Sequence, residues 1–174
     1  RGTSGKARGI PGTDFIVTLG DWSVSGGGTP KEQGGTLMHE LGHTLNLRHG
    51  GNEGVHYKPN YLSVMNYMFQ TRGLIRDGKN GSLDYSAVAL PDLDEKSLNE
   101  ALGLTGGLVI PELEGAGTRW LCAALDEHGN YSWSFADYTE DATAEIDWSC
   151  DGISDPPGMG RDINTGIATP TAQK

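Results

Sequence analysis

Leu37, Met38, Leu41, His43 and Leu45 recur at helical spacing and predict an amphipathic helix in the first third of the chain. Thr29-Pro30-Lys31-Glu32 is a capping box with proline at the first helical position, so a helix could open there. Gly34 and Gly35 would cost that helix about 1 kcal/mol each relative to alanine. The expected span is therefore about 36–46. Upstream, Phe15-Ile16-Val17-Thr18-Leu19 reads as a strand between Pro11-Gly12 and Gly20-Asp21 turns, with a shorter strand candidate over Gly5 to Gly9. Residues 50–90 carry turn clusters and no sustained period. A second capping box, Asp92 to Glu95, predicts a short helix through Leu98, Ala101 and Leu102 that Gly103 ends. Alternation from Arg119 to Phe135 around His128-Gly129-Asn130 predicts a hairpin, and the polar tail after 163 is expected to fray. The fold class is α+β, divided into a unit of residues 1–118 and an extension of 119–174.

Composition narrows the partners. The 174 residues hold 13 Lys+Arg against 23 Asp+Glu, a formal net charge of −10. Nucleic acid and anionic membranes reward basic patches, so neither is an expected partner. No apolar run reaches the roughly 20 residues that span a bilayer. No signal peptide is visible and the chain begins at Arg1, which suggests a trimmed, mature product acting as a monomer. Cys122 and Cys150 belong to no CxxC pair; a disulfide is the preferred reading and two reduced, buried thiols the alternative.

The chemistry concentrates in His39-Glu40-Leu41-Gly42-His43-Thr44-Leu45-Asn46-Leu47-Arg48-His49. Histidines four apart on a helix share a face and can direct two imidazoles at one zinc ion, with Glu40 beside the first. Two helical ligands, an open position for water and a carboxylate to take its proton are what zinc-dependent peptide hydrolysis needs. His49 can join them only if the helix stops before it. Asn46 allows that, because asparagine tolerates positive φ better than other residues with side chains.

The full spacing resembles the metzincin metallopeptidases, whose HExxHxxGxxH pattern carries glycine where this chain has Asn46. Ser63-Val64-Met65-Asn66-Tyr67 is similar to the methionine turn of the astacins and serralysins. That resemblance implies Met65 as a hydrophobic floor under the imidazoles and Tyr67 as a switchable fourth zinc ligand and oxyanion stabiliser. Gly5 to Gly12 resembles the edge strand on which many metzincins hold an extended peptide as an added strand. Gly50 after the third histidine matches neither subfamily, which implies a separate branch. The resemblance covers residues 5–67 and implies a metzincin-like catalytic unit with a thin upper sheet, an active-site helix, an irregular lower part and a C-terminal helix.

Asp147, Ser149, Asp151, Ile153 and Asp155 place oxygens at alternate positions around Gly152, as in the first half of an EF-hand loop. Gly158 stands where the bidentate glutamate would be, and Asp162 is the candidate substitute, so a partial structural calcium site is expected. The expectation is a secreted zinc endopeptidase acting on protein or peptide. Two alternatives stay open: a non-catalytic zinc- or calcium-binding module, and a site completed by a downstream carboxylate such as Glu53 or one within 92–100.

Overall fold

The computed structural model describes residues 2–23, 26–125, 131–164 and 172–173. It is a mixed α and β structure with one α-helix and four small two-stranded antiparallel sheets among the described residues. Strands β1 (Gly5–Ala7) and β2 (Phe15–Val17) pair first, and helix α1 (Pro30–Thr44) follows them and packs on both. Strands β3 (Leu74–Arg76) and β4 (Lys79–Ser82) form the second sheet. Strand β5 (Leu93–Asp94) pairs with β8 (Ala172–Gln173), while β6 (Thr118–Leu125) and β7 (Tyr131–Thr139) make the expected long hairpin. Its His128-Gly129-Asn130 turn lies outside the described residues.

Helix α1 starts six residues earlier than the glycine penalty suggested. Thr29 Oγ1 accepts the Glu32 N–H, and Glu32 accepts the Thr29 N–H at 2.7 Å, closing the capping box. Packing overrides propensity at the two glycines. A Cβ on Gly35 would collide with the Gln70 carbonyl, and one on Gly34 would meet Leu83 Cδ1 at 3.0 Å. The bare backbone there lets the following segment lie against the helix.

The second predicted helix does not form. Leu93–Asp94 is a strand, and Asp94 Oδ1 accepts the Lys96 N–H in a local turn instead of opening a helix. Only a 3-10 turn follows, Glu100–Leu102, capped by Asn99. No other α-helix occurs among the described residues, so the expected C-terminal helix is absent there. Its place is taken by loops stapled to buried carboxylates. Glu95 accepts Ile163 N–H, and Glu100 accepts Ser149 and Asp155 N–H groups.

One apolar cluster joins Met68, Phe69, Leu98, Leu113, Trp120, Trp148 and Ile163, so the expected division at 118/119 runs through a shared core. Cys122 and Cys150 are joined in a disulfide, beside which Trp120 and Trp148 meet edge to face with centroids 5.6 Å apart. Closing a loop of 28 residues this way stabilises by about 3–4 kcal/mol on the chain-entropy account. No helix of the described residues is long and apolar enough to cross a membrane.

Candidate metal centre

The helix stops where the third histidine needs it to. Asn46 adopts φ 70° directly after the C-cap residue Leu45. The Asn46 N–H then bonds the His43 carbonyl and the Leu47 N–H the Gly42 carbonyl, which is a Schellman ending with asparagine in the left-handed position. Arg48 and Gly51 exchange both backbone hydrogen bonds across a tight turn, and His49 sits at its tip. A Cβ on Gly50 would lie 2.7 Å from the Val55 carbonyl and 3.1 Å from Lys58 Cδ, so this position has no room for a side chain.

Three imidazoles converge as a result. The ligand atoms of His39, His43 and His49 all lie within 4.8 Å of one another, and among the described residues no other group of three such side chains does this. The cluster can hold a metal ion. His39 Nδ1 lies 2.9 Å from the Val64 carbonyl and His43 Nδ1 2.8 Å from the Leu47 carbonyl. A carbonyl oxygen only accepts, so both rings keep their proton on Nδ1 and present an Nε2 lone pair. Those two Nε2 atoms stand 3.2 Å apart. Two lone pairs at that distance have no proton to share, and a cation between them resolves the conflict. Burial is the first cause that holds His39 down to about 4 and His49 to about 3, with neighbouring histidines adding to it. The site thus favours the neutral rings that a metal requires.

The segment 63–67 makes the floor. Ser63 Oγ accepts the Met65 N–H, Asn66 Nδ2 donates to the Lys58 and Tyr61 carbonyls, and Asn66 Oδ1 accepts the Met68 N–H. Val64 within this turn supplies the carbonyl that orients His39. Met65 is fully buried, and a Cβ on Gly42 would collide with its Sδ. The methionine therefore lies flush against the helix backbone one residue before His43. Tyr67 stacks on His39 at 5.4 Å and lies tilted against His49 at 4.3 Å, centroid to centroid, and burial raises its phenol above the ordinary range.

Glu40 is buried at the inner wall of a cleft of about 480 Å³ between β1 and the histidines. Burial raises its carboxyl pKa, against an opposing hydrogen bond from the Ala7 backbone. Gly5 is required beside it, since a Cβ there would stand 2.7 Å from Glu40 Oε1.

Sequence reasoning missed His56. Its ring lies 4.6 Å from His49 and 5.1 Å from Tyr67, on a loop closed by the half-buried Lys58–Glu53 ion pair at 2.7 Å. No motif marks it; only the closure of that loop brings it in. The same ion pair occupies Glu53, and Glu95 and Glu100 hold backbone amides elsewhere, so among the described residues no downstream carboxylate joins the histidines.

The 147–162 loop has another organisation than a cation cage. Asp147 Oδ1 accepts Ser149 Oγ–H and the Cys150 and Asp151 N–H groups, while Oδ2 accepts the Gly152 N–H at 2.8 Å. Asp151 caps Ile153 N–H, Asp155 N–H goes to Glu100, and Asp162 caps Asn164 N–H. The Asp147, Asp151 and Asp162 carboxylates serve backbone donors, and among the described residues no three of the loop's carboxylates converge on one point.

No family model matches the chain, and neither curated proteins nor solved structures show a significant similarity to it.

Proposed function

We propose that this chain is a zinc-dependent endopeptidase of metzincin type, acting outside the cell. The observation that carries the reading is the pair of Nε2 lone pairs of His39 and His43, 3.2 Å apart and each fixed from behind by a carbonyl, with His49 completing the set. Two nitrogens on one tetrahedral zinc at about 2.05 Å stand roughly 3.3 Å apart, so the spacing fits that ion. All-imidazole ligation suits zinc, and three protein ligands leave a position open. The disulfide fits an oxidising compartment.

Zinc held by His39, His43 and His49 would supply a Lewis acid for the scissile carbonyl and for water. The remaining work falls to side chains. Glu40, whose carboxyl is raised by burial, accepts a proton from the attacking water as the new C–O bond forms. It returns that proton to the amide nitrogen as the C–N bond breaks, releasing amine and carboxylate. Tyr67, kept neutral by its surroundings, donates a hydrogen bond to the developing oxyanion. Strand β1 borders the cleft and offers an extended peptide a free sheet edge.

Zinc analysis of the purified protein, with digestion of casein before and after chelation, tests the reading. One zinc per chain and chelator-sensitive cleavage are expected. Stoichiometric zinc without cleavage would favour the non-catalytic module instead.

A further inference from the structure

Strand β1 has one face toward α1 and one toward solvent, and its charges sit on the solvent face. Ser4 accepts from Thr18 and Arg8 donates to Asp14, so residues 4, 6 and 8 form the hydrogen-bonded pairs with β2. Gly5 and Ala7 consequently direct their N–H and C=O to the opposite edge, along the cleft. The Ala7 N–H already serves Glu40, which leaves Gly5 as the point where an added strand can anchor in both directions. Side chains alternate with period two. The Gly5 face abuts Glu40, so Lys6 and Arg8 project from the other face.

The two cations are not equivalent. Arg8 is paired with Asp14 at 2.7 Å and is neutralised within the sheet. Lys6 stands across from Ile16, exposed and lining the mouth of the same cleft. Among the described residues bordering that cleft Glu40 is the one carboxylate, although the chain carries 23 Asp+Glu. With Arg8 neutralised, Lys6 is the cation left at that edge of an acidic protein.

Resting on the peptidase reading above, we infer that Lys6 selects substrates carrying an acidic side chain at the position that lies across from it. A peptide residue bonded to Gly5 places its neighbour in the chain opposite Lys6, on the same face of the extended sheet. Directly opposed residues on a sheet face are close enough for their charges to decide pairing, favourably for opposite signs and unfavourably for like signs. An extended acidic peptide is therefore the substrate class that this edge fits.

A set of otherwise identical peptides with Glu, Gln or Lys at each position near the scissile bond tests this, assayed with zinc-loaded wild type and with Lys6→Glu. At one position wild type should prefer Glu over Lys by about three- to tenfold in kcat/KM, and Lys6→Glu should reverse the order. The ratio within one enzyme preparation is insensitive to partial loss of folded protein. A Glu/Lys ratio that Lys6→Glu leaves unchanged would overturn the assignment. If wild type cleaves none of the peptides, the peptidase reading fails by itself. Fluorescence anisotropy of the labelled Glu and Lys peptides on both proteins then decides the assignment: equal Glu/Lys ratios of Kd overturn it, and ratios that invert with the substitution uphold it.

Discussion

His39 and His43 face each other with Nε2 atoms 3.2 Å apart, and each ring is braced by a backbone carbonyl on its far side. With His49 the pair forms a cluster that can hold a metal ion. A cation bound only by the folded state stabilises it by mass action, about 2.7 kcal/mol at a hundredfold excess over Kd. Zinc should raise the melting temperature of chelated protein, and His43→Ala should abolish that rise. A zinc-independent melting temperature in the wild type would contradict this.

Asn46 carries the helix ending that delivers Leu47 to His43 and frees His49. Asn46→Gly should preserve both stability and metal affinity. Asn46→Val must hold a β-branched residue at positive φ and should lose about 1–2 kcal/mol or more of stability. Because it disturbs the carbonyl behind His43, it should also weaken zinc binding roughly 10- to 100-fold. Competition with a chromogenic chelator would measure the difference.

Gly42 and Met65 are fitted to each other. Gly42→Ala drives a methyl into the buried thioether and should destabilise by about 1–3 kcal/mol. Met65→Ala should cost about 2–5 kcal/mol by opening a cavity. The double variant should be less unstable than the two losses summed, by more than about 0.5 kcal/mol, because the new methyl occupies space the thioether left. Additive losses in urea denaturation would mean that the contact does not govern either effect.

The histidines also set a pH dependence in the metal-free protein. His39 is held down to about 4 and His49 to about 3, burial being the first cause in each, while an unfolded chain titrates near the ordinary 6.5. Between those values the unfolded state binds more protons, so stability rises with pH. The contribution is present above about pH 6.5 and is lost as pH falls through 4. Urea midpoints of chelated protein should drop from pH 7.5 to pH 5. His39→Gln should flatten that slope.

The centre was legible in the sequence because each of its parts obeys a local rule. His39 and His43 follow from helical spacing, and Asn46 from its tolerance of positive φ. The hairpin of 118–139 was legible for the same reason, whereas the disulfide was expected because Cys122 and Cys150 are the two cysteines of the chain and form no CxxC pair. What escaped was decided by contacts that residue spacing does not encode. Gly34 and Gly35 look like helix breakers until the carbonyl of Gln70 is placed against them. Asp92 to Glu95 looks like a capping box, yet Leu93–Asp94 is a strand and Asp94 turns the chain locally after it. The alternating oxygens of 147–155 read equally well as cation ligands or as acceptors for their own loop, and only the positions of the amides separate the two. His56 obeys no spacing rule, since it sits in an irregular loop whose shape is fixed by the Lys58–Glu53 pair and not by a repeating element.

The account turns on Glu40, buried in the cleft beside His39 with a raised carboxyl. The most direct measurement is zinc content and peptide cleavage of Glu40→Gln, which keeps the size of the side chain and an acceptor for the Ala7 N–H. The variant should bind one zinc per chain with unchanged affinity and lose about 10²–10⁴-fold in kcat. Cleavage at the wild-type rate by zinc-loaded Glu40→Gln would contradict the mechanism.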